Sequence, residues 1–109
     1  MANIYLNSKT DLTAASETTL YTVPSDSRTI IKSILVSDDS GSGDDITLTI
    51  TNASAAVFNL FKSKAVSANT TIELLTQPLI MLESEILKAT PTTGNRLHVV
   101  VSMLEMNRS

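Results

Sequence analysis

The sequence predicts an all-β protein, an antiparallel, jelly-roll-like β-sandwich of about eight short strands. Its 109 residues are rich in Ile, Leu, Val and Thr, which favour strands, whereas aromatic residues make up 4%. Short apolar stretches alternate with turn residues roughly every 8 to 12 positions, which is the spacing of sandwich strands. No stretch has the apolar spacing of a long helix, and this excludes a parallel sheet with crossover helices.

The chain is expected to form one β-sandwich domain over residues 1–109, because no segment repeats at a fixed period and none resembles a long disordered linker. Residues 1–12 are the candidate for an N-terminal arm. A globular chain of this length buries roughly 60 to 70 per cent of its unfolded surface, which is enough for a single core. That core is expected to be aliphatic, because tryptophan is absent.

Residues 18–23 (TTLYTV) predict the first strand, which Pro24 ends because proline has a fixed φ and no N–H to donate. Residues 28–37 (RTIIKSILVS) carry apolar side chains on both faces. This pattern predicts a central strand covered on both sides. The cover could come from a two-sided core or from a neighbouring subunit, and the sequence leaves both explanations open.

Residues 45–52 alternate, with isoleucine and leucine on one face and threonine on the other, which predicts a half-buried strand. Residues 38–44 (DDSGSGD) collect the glycines, serines and acids that are typical of a loop. We therefore expect the strands on either side of this loop to pair with each other as a hairpin.

Five further strands are predicted, at residues 56–62, 70–75, 79–82, 85–90 and 96–106. The first of these also fits a short helix, and the strand is the preferred interpretation. Gln77 and Pro78 predict a corner between two short extended pieces. The consecutive valines of the last strand predict that it lies buried in the middle of a sheet.

Charge and composition exclude several classes of partner. The net charge is -3 and the eight Lys and Arg residues are scattered singly, so no basic surface is available for nucleic acid. No apolar run approaches the length of about 18 residues that spans a bilayer, so no membrane partner is expected. The lack of cysteine excludes disulfides and thiolate zinc sites.

The residues offer no recognisable catalytic or metal-binding constellation, so we expect no enzyme activity, no cofactor and no metal. His98 is the single histidine, without a second His or Cys for zinc or copper, and is expected at an interface or a strand edge. The acidic loop at 38–45 could offer oxygen ligands to calcium. Its spacing departs from the EF-hand pattern, and a solvated loop tip is the preferred interpretation.

Exposure alone selects the candidate contact residues, because loops and free termini reach solvent. The candidate segments are the loops at 38–44 and 92–95 and the N-terminal arm. The candidate interface residues are Asp38, Asp39, Asp44, Thr92, Asn95, Ile4 and Tyr5.

Four segments, TTLYTVPSDSRTIIKSILVS, DITLTITN, IELLTQPLIMLESEILKA and LHVVVSMLEM, together resemble small structural proteins of tailed bacteriophages. The resemblance spans residues 18–106. It includes a Leu-Tyr-x-Val-Pro start at 20–24, a Leu-Leu-x-x-Pro-Leu corner at 74–79 and a closing Leu-Glu at 104–105. The matching pattern consists of core residues and turns.

The resemblance implies a virion component that is made in the host cytoplasm. It implies either a capsid decoration or cement protein that binds the major capsid protein, or a neck or tail adaptor or fibre-attachment protein. It also favours self-association as a trimer, and it transfers no catalytic residue. An alternative from a different class is a carbohydrate-binding or receptor-binding module, whose ligand loop would be the acidic loop.

Overall fold

The computed structural model describes residues 2–107, in which nine strands form two antiparallel sheets. The strands are β1 (Ala2–Leu12), β2 (Thr18–Thr22), β3 (Ser27–Asp38), β4 (Asp44–Thr51), β5 (Val57–Val66), β6 (Thr71–Glu73), β7 (Leu79–Met81), β8 (Ile86–Pro91) and β9 (Leu97–Asn107). This confirms the predicted all-β sandwich. The predicted domain limits, residues 1 and 109, lie outside the described residues.

The strand order is that of a jelly roll. Sheet A has the order β1-β9-β3-β6, with β7 also pairing with β3, and sheet B has the order β2-β8-β4-β5. The short strands β6 and β7 pair with opposite ends of β3, so they act as two pieces of one edge strand. If β6 and β7 are counted as one strand, the structure has the eight strands of a jelly roll. The chain passes repeatedly from one sheet to the other.

The core lies between the two sheets and is aliphatic, as predicted. Its fully buried members include Ile34 and Val101 of sheet A and Ile46 and Leu48 of sheet B. The apolar face of β4 is therefore where the alternation predicted it. Its other face was expected to be solvated, but Thr49 and Thr51 retain 7% and 8% exposure, because β4 lies inside sheet B between β8 and β5.

A β-bulge in β3 decides which of its apolar residues face the core. The register of β3 against β9 shifts between Ile31 and Ser33, so Lys32 is an extra residue. Ile31 and Ile34 are three positions apart, yet both are fully buried, because the bulge returns them to the same face. Ile30 and Leu35 consequently point away from the core, on the outer face of sheet A.

Two predictions are wrong, the hairpin around loop 38–44 and the N-terminal arm. The strands around loop 38–44 do not form a hairpin, because β3 belongs to sheet A and β4 to sheet B, and each already has neighbours on both sides. Residues 2–12 do not form an arm. They form β1, which pairs with β9 from Ala2↔Asn107 to Leu12↔Leu97, and the side chain of Leu12 is fully buried.

Other predictions are confirmed. Residues 57–66 form a strand and not a helix, and the corner at Gln77 and Pro78 separates β6 from β7. The strand predicted at 28–37 is central, between β9 and the pair β6 and β7. The last strand is also central, between β1 and β3, and its inward side chains from Leu97 to Met103 are buried.

Candidate interaction surfaces

The structure brings the two predicted contact loops together at one end of the sandwich. The Thr93 amide donates to Asp44 Oδ2 at 2.9 Å, and the Thr92 amide donates to the carbonyl of Asp45 at 3.0 Å. Arg96 Nη1 donates to the carbonyl of Gly43 at 3.1 Å. These bonds hold the loops beside each other, while the side chain of Thr92 stays exposed.

Asn95 is also exposed, at the tip of the turn between β8 and β9. Its φ is 62°, in the left-handed region that asparagine tolerates better than most residues. Its amide donates to the carbonyl of Leu12 at 2.9 Å, which fastens the turn to the end of β1. The turn is therefore an exposed and anchored surface.

Asp38 does not fit its predicted role, because its side chain is buried with 2% exposure. Its Oδ1 accepts hydrogen bonds from the amide and hydroxyl of Ser40, both at 2.9 Å, and from the amide of Gly41 at 3.2 Å. Burial by itself raises the pKa of the Asp38 carboxyl, but these hydrogen bonds outweigh it and hold the pKa below its ordinary value. Asp38 therefore organises the loop and offers no contact surface.

Asp39, by contrast, is exposed and lies near His98 on the outer face of sheet A. Asp39 Oδ2 is 3.7 Å from His98 Nδ1, and Asp11 Oδ1 is 3.3 Å from His98 Nε2. The histidine thus lies on the outer surface of β9 between two carboxylates. Because β9 is a central strand, the expected strand edge is wrong, and a place at an interface stays a prediction. Across residues 2–107 no group of three or more His, Cys, Asp and Glu side chains is arranged to hold a metal ion.

Ile4 and Tyr5 lie far from these loops. Both belong to β1, and Tyr5 precedes Leu12 by seven residues along the strand, which corresponds to about 23 Å. Their side chains are 47% and 75% exposed. Adjacent residues of a strand point to opposite faces of the sheet, so Tyr5, opposite Leu104, lies on the outer face of sheet A, whereas Ile4, opposite Glu105, lies on the face towards sheet B. The predicted site residues therefore do not form one surface.

Tyr5 is one end of an apolar row that crosses the outer face of sheet A. It lies opposite Leu104, which lies opposite Ile30, which in turn lies opposite Ile80. The two end residues are the most exposed, at 75% for Tyr5 and 63% for Ile80. Of the four, the sequence singled out Tyr5 alone, although the apolar side chains on both faces of residues 28–37 indicated a second apolar face.

A second group of exposed apolar side chains lies at the edge of sheet B. Val57 and Phe58 of β5 are 58% and 55% exposed, because β5 has no neighbour on its outer side in the described structure. Leu82, which follows β7 of sheet A and is not part of this edge, is 47% exposed. Contiguous patches of exposed apolar side chains commonly mark protein-binding surfaces.

No family model matches the sequence, and no curated protein matches it. Among solved structures, a chain from Bacillus endospore appendages, which are described as disulfide-linked pili, aligns with a TM-score of 0.60 and 10% identity, over 99% of this chain and 88% of that chain. A chain from infectious bursal disease virus, Gx strain, aligns with a TM-score of 0.54 and 16% identity, over 96% of this chain and 30% of that chain.

A pentameric capsid protein isolated from metagenomic phage sequences aligns with a TM-score of 0.46 and 18% identity, over 94% of this chain and 60% of that chain. The likeness to the spore appendage and to the bursal disease virus chain shows a shared sandwich fold, and fold by itself does not assign function. Within residues 2–107 no helix has the length and apolar character that crossing a membrane requires.

Proposed function

We propose that this protein is a structural component of a bacteriophage virion, and specifically a capsid decoration protein that binds the major capsid protein shell and stabilises it. The observation that carries the proposal is the set of exposed apolar side chains on the jelly roll, above all Val57 and Phe58 on the edge of sheet B. The resemblance over residues 18–106 to structural proteins of tailed phages supports the same role. The role is mechanical and requires no catalytic group.

Binding through such an edge would add buried apolar area across the seams between shell subunits. Burial contributes about 25 cal/mol per Å² of apolar surface, so one copy with a few exposed side chains gains a modest amount. Many copies on one shell multiply that gain, and the contacts made by each copy must break before the shell opens. A decoration protein therefore needs no single strong anchor.

The proposal is tested by mixing the purified protein with empty expanded capsids of its phage and sedimenting the capsids. We expect the wild-type protein to sediment with the capsids and to raise their resistance to heat. Val57→Asp is expected to lose most of the binding, because it places a carboxylate in the apolar contact. Thr22→Asp, at an exposed position of β2, is the matched control and should bind as wild type does. A wild-type protein that stays in the supernatant contradicts the proposal.

The same resemblance extends to neck and tail proteins, and copy number separates the two locations. Quantitative mass spectrometry of purified virions measures the number of copies of this protein relative to the major capsid protein. Hundreds of copies per virion support decoration of the shell. Tens or fewer place the protein at the neck or tail and overturn the capsid assignment.

A further inference from the structure

The outer face of sheet A carries a second row that complements the apolar one. Lys9 lies opposite Val100, which lies opposite Leu35, which lies opposite Glu73. The row is apolar in its middle, with Leu35 38% exposed, and it has a cation at the β1 edge and an anion at the β6 edge. Both charged side chains are exposed.

Neither charge is neutralised by an ion pair within the described residues. Lys9 Nζ donates to Asn7 Oδ1 at 2.9 Å, which leaves its charge in place. The Glu73 carboxylate accepts hydrogen bonds from the hydroxyl of Ser33 and, at 2.7 Å, from the amide of Ile34. The amide of Leu75 also donates to this carboxylate, at 3.2 Å, so the three bonds fix its position while the side chain of Glu73 stays exposed.

We propose that this face binds the same face of a second copy of the chain, around a two-fold axis that runs parallel to the strands between β9 and β3. Rotation about this axis places β1 of one copy over the β6 and β7 edge of the other copy, and β9 over β3. Each row keeps its position along the strand direction, so it lies over the same row of the second copy. Lys9 then lies over Glu73 of the second copy, and this occurs twice in the dimer. Because the charges stand at opposite ends of one row, the face complements itself.

The apolar residues complement each other under the same rotation. Tyr5 lies over Ile80 of the second copy, and Leu104 lies over Ile30 of the second copy. Lys32 lies over Ser102, so this cation meets no opposing cation in its own row. Two face-packed sheets cross at about 30°, so the contacts of β9 and β3 near the axis, Leu104 with Ile30 and Val100 with Leu35, are closer than those of the edge strands.

The area of the face is sufficient for a specific dimer. Strands β1 and β9 have 11 residues each. At about 3.3 Å per residue and about 4.8 Å between strands, a four-strand face covers about 600 to 700 Å². The two copies together would bury about 1,300 Å², within the range of about 1,200 to 2,000 Å² that is usual for specific interfaces. The inference concerns the purified protein and is independent of the virion role.

The first test is the mass of the full chain in solution, by light scattering and sedimentation over a concentration series. We expect twice the chain mass of 11.7 kDa. Ile80→Asp is expected to weaken the dimer at least about 100-fold, because it places a carboxylate against Tyr5 of the second copy. Val57→Asp is the matched control, because Val57 is similarly exposed but lies on sheet B, and its mass should stay that of wild type.

The second test measures the register of the two copies. The chain has no cysteine, so single cysteines can be placed freely. A short bis-maleimide reagent, which spans the roughly 10 Å between packed sheets, should link Tyr5→Cys protein to Ile80→Cys protein. Tyr5→Cys protein alone should remain unlinked, because the two β1 strands lie at opposite edges of the dimer.

A monomer at every concentration overturns the proposal, and so does the trimer that the phage resemblance favours. A dimer that dissociates with Val57→Asp and survives Ile80→Asp places the interface on the edge of sheet B and also contradicts it. Loss of capsid binding with an intact dimer would contradict the proposed function alone, so the two ideas fail separately.

Discussion

At the scale of single residues, Tyr21 is one of the polar links between the two sheets. From β2 in sheet B its hydroxyl donates to Glu105 Oε2 at 2.6 Å and bonds to Thr29 Oγ1 at 2.8 Å, both in sheet A. Burial, together with the bond to Glu105, raises the pKa of Tyr21 from 10.0 to about 12. The folded protein therefore favours the protonated form of the Tyr21 side chain.

Tyr21→Phe is expected to lower the free energy of unfolding by about 1 kcal/mol, since Glu105 and Thr29 both lose a partner. Because the folded pKa is the higher one, the contribution of Tyr21 is complete below pH 10 and is lost as the pH rises towards about 12. Urea unfolding from pH 8 to pH 12 should show this loss in wild type and less of it in Tyr21→Phe. Tyr5→Phe is the control, with 75% exposure, and equal effects of the two variants would contradict this assignment.

The loop residues show how far exposure can be predicted from sequence. Asp39, Thr92 and Asn95 are exposed, as loop chemistry predicted. Asp38 is not, because its carboxylate turns back to accept the amides of Ser40 and Gly41. A short acidic side chain before a serine and a glycine can face solvent or cap its own loop, and the sequence does not distinguish the two.

At the scale of elements, periodicity located strands well and their partners poorly. The alternation of apolar residues and threonines predicted β4, and the consecutive valines predicted β9. Strand β1 was missed because its inward side chains include Ser8 and Thr10, so little apolar alternation remains between Leu6 and Leu12. The β3–β4 hairpin was wrong because a glycine-rich loop permits a reversal within one sheet or a crossing to the other.

The role of β1 can be tested at Leu12, which would be exposed in an arm but is fully buried in the strand. Leu12→Ala is expected to lower the free energy of unfolding by about 2 to 5 kcal/mol, because it leaves a cavity at the end of the core. Asn7→Ala, at an exposed position of the same strand, should change it by less than about 0.5 kcal/mol. Guanidinium unfolding measures the free energy of unfolding of both variants. A small effect of Leu12→Ala would contradict the strand and support an N-terminal arm at residues 2–12.

At the scale of the whole molecule, the outer face of sheet A depends on register, which the sequence does not display. The residue pattern showed that the segment 28–37, which forms β3, has apolar side chains on both faces. It could not show that Ile30 lies opposite both Leu104 and Ile80, because this follows from pairing between distant segments. The bulge at Lys32 also changes which residues share that face, and a one-residue shift reverses every side chain beyond it.

A dimer through this face also makes thermal stability depend on protein concentration. If the second copy binds the folded chain alone, dissociation must accompany unfolding, and higher concentration opposes both. For a domain of this size, a tenfold rise in concentration is expected to raise the Tm by about 2 to 4 °C. Scanning calorimetry of wild type should show this shift, whereas Ile80→Asp should melt at one temperature throughout. An equal shift in both would mean that the copies associate through another surface, because Ile80 would then contribute nothing to the contact.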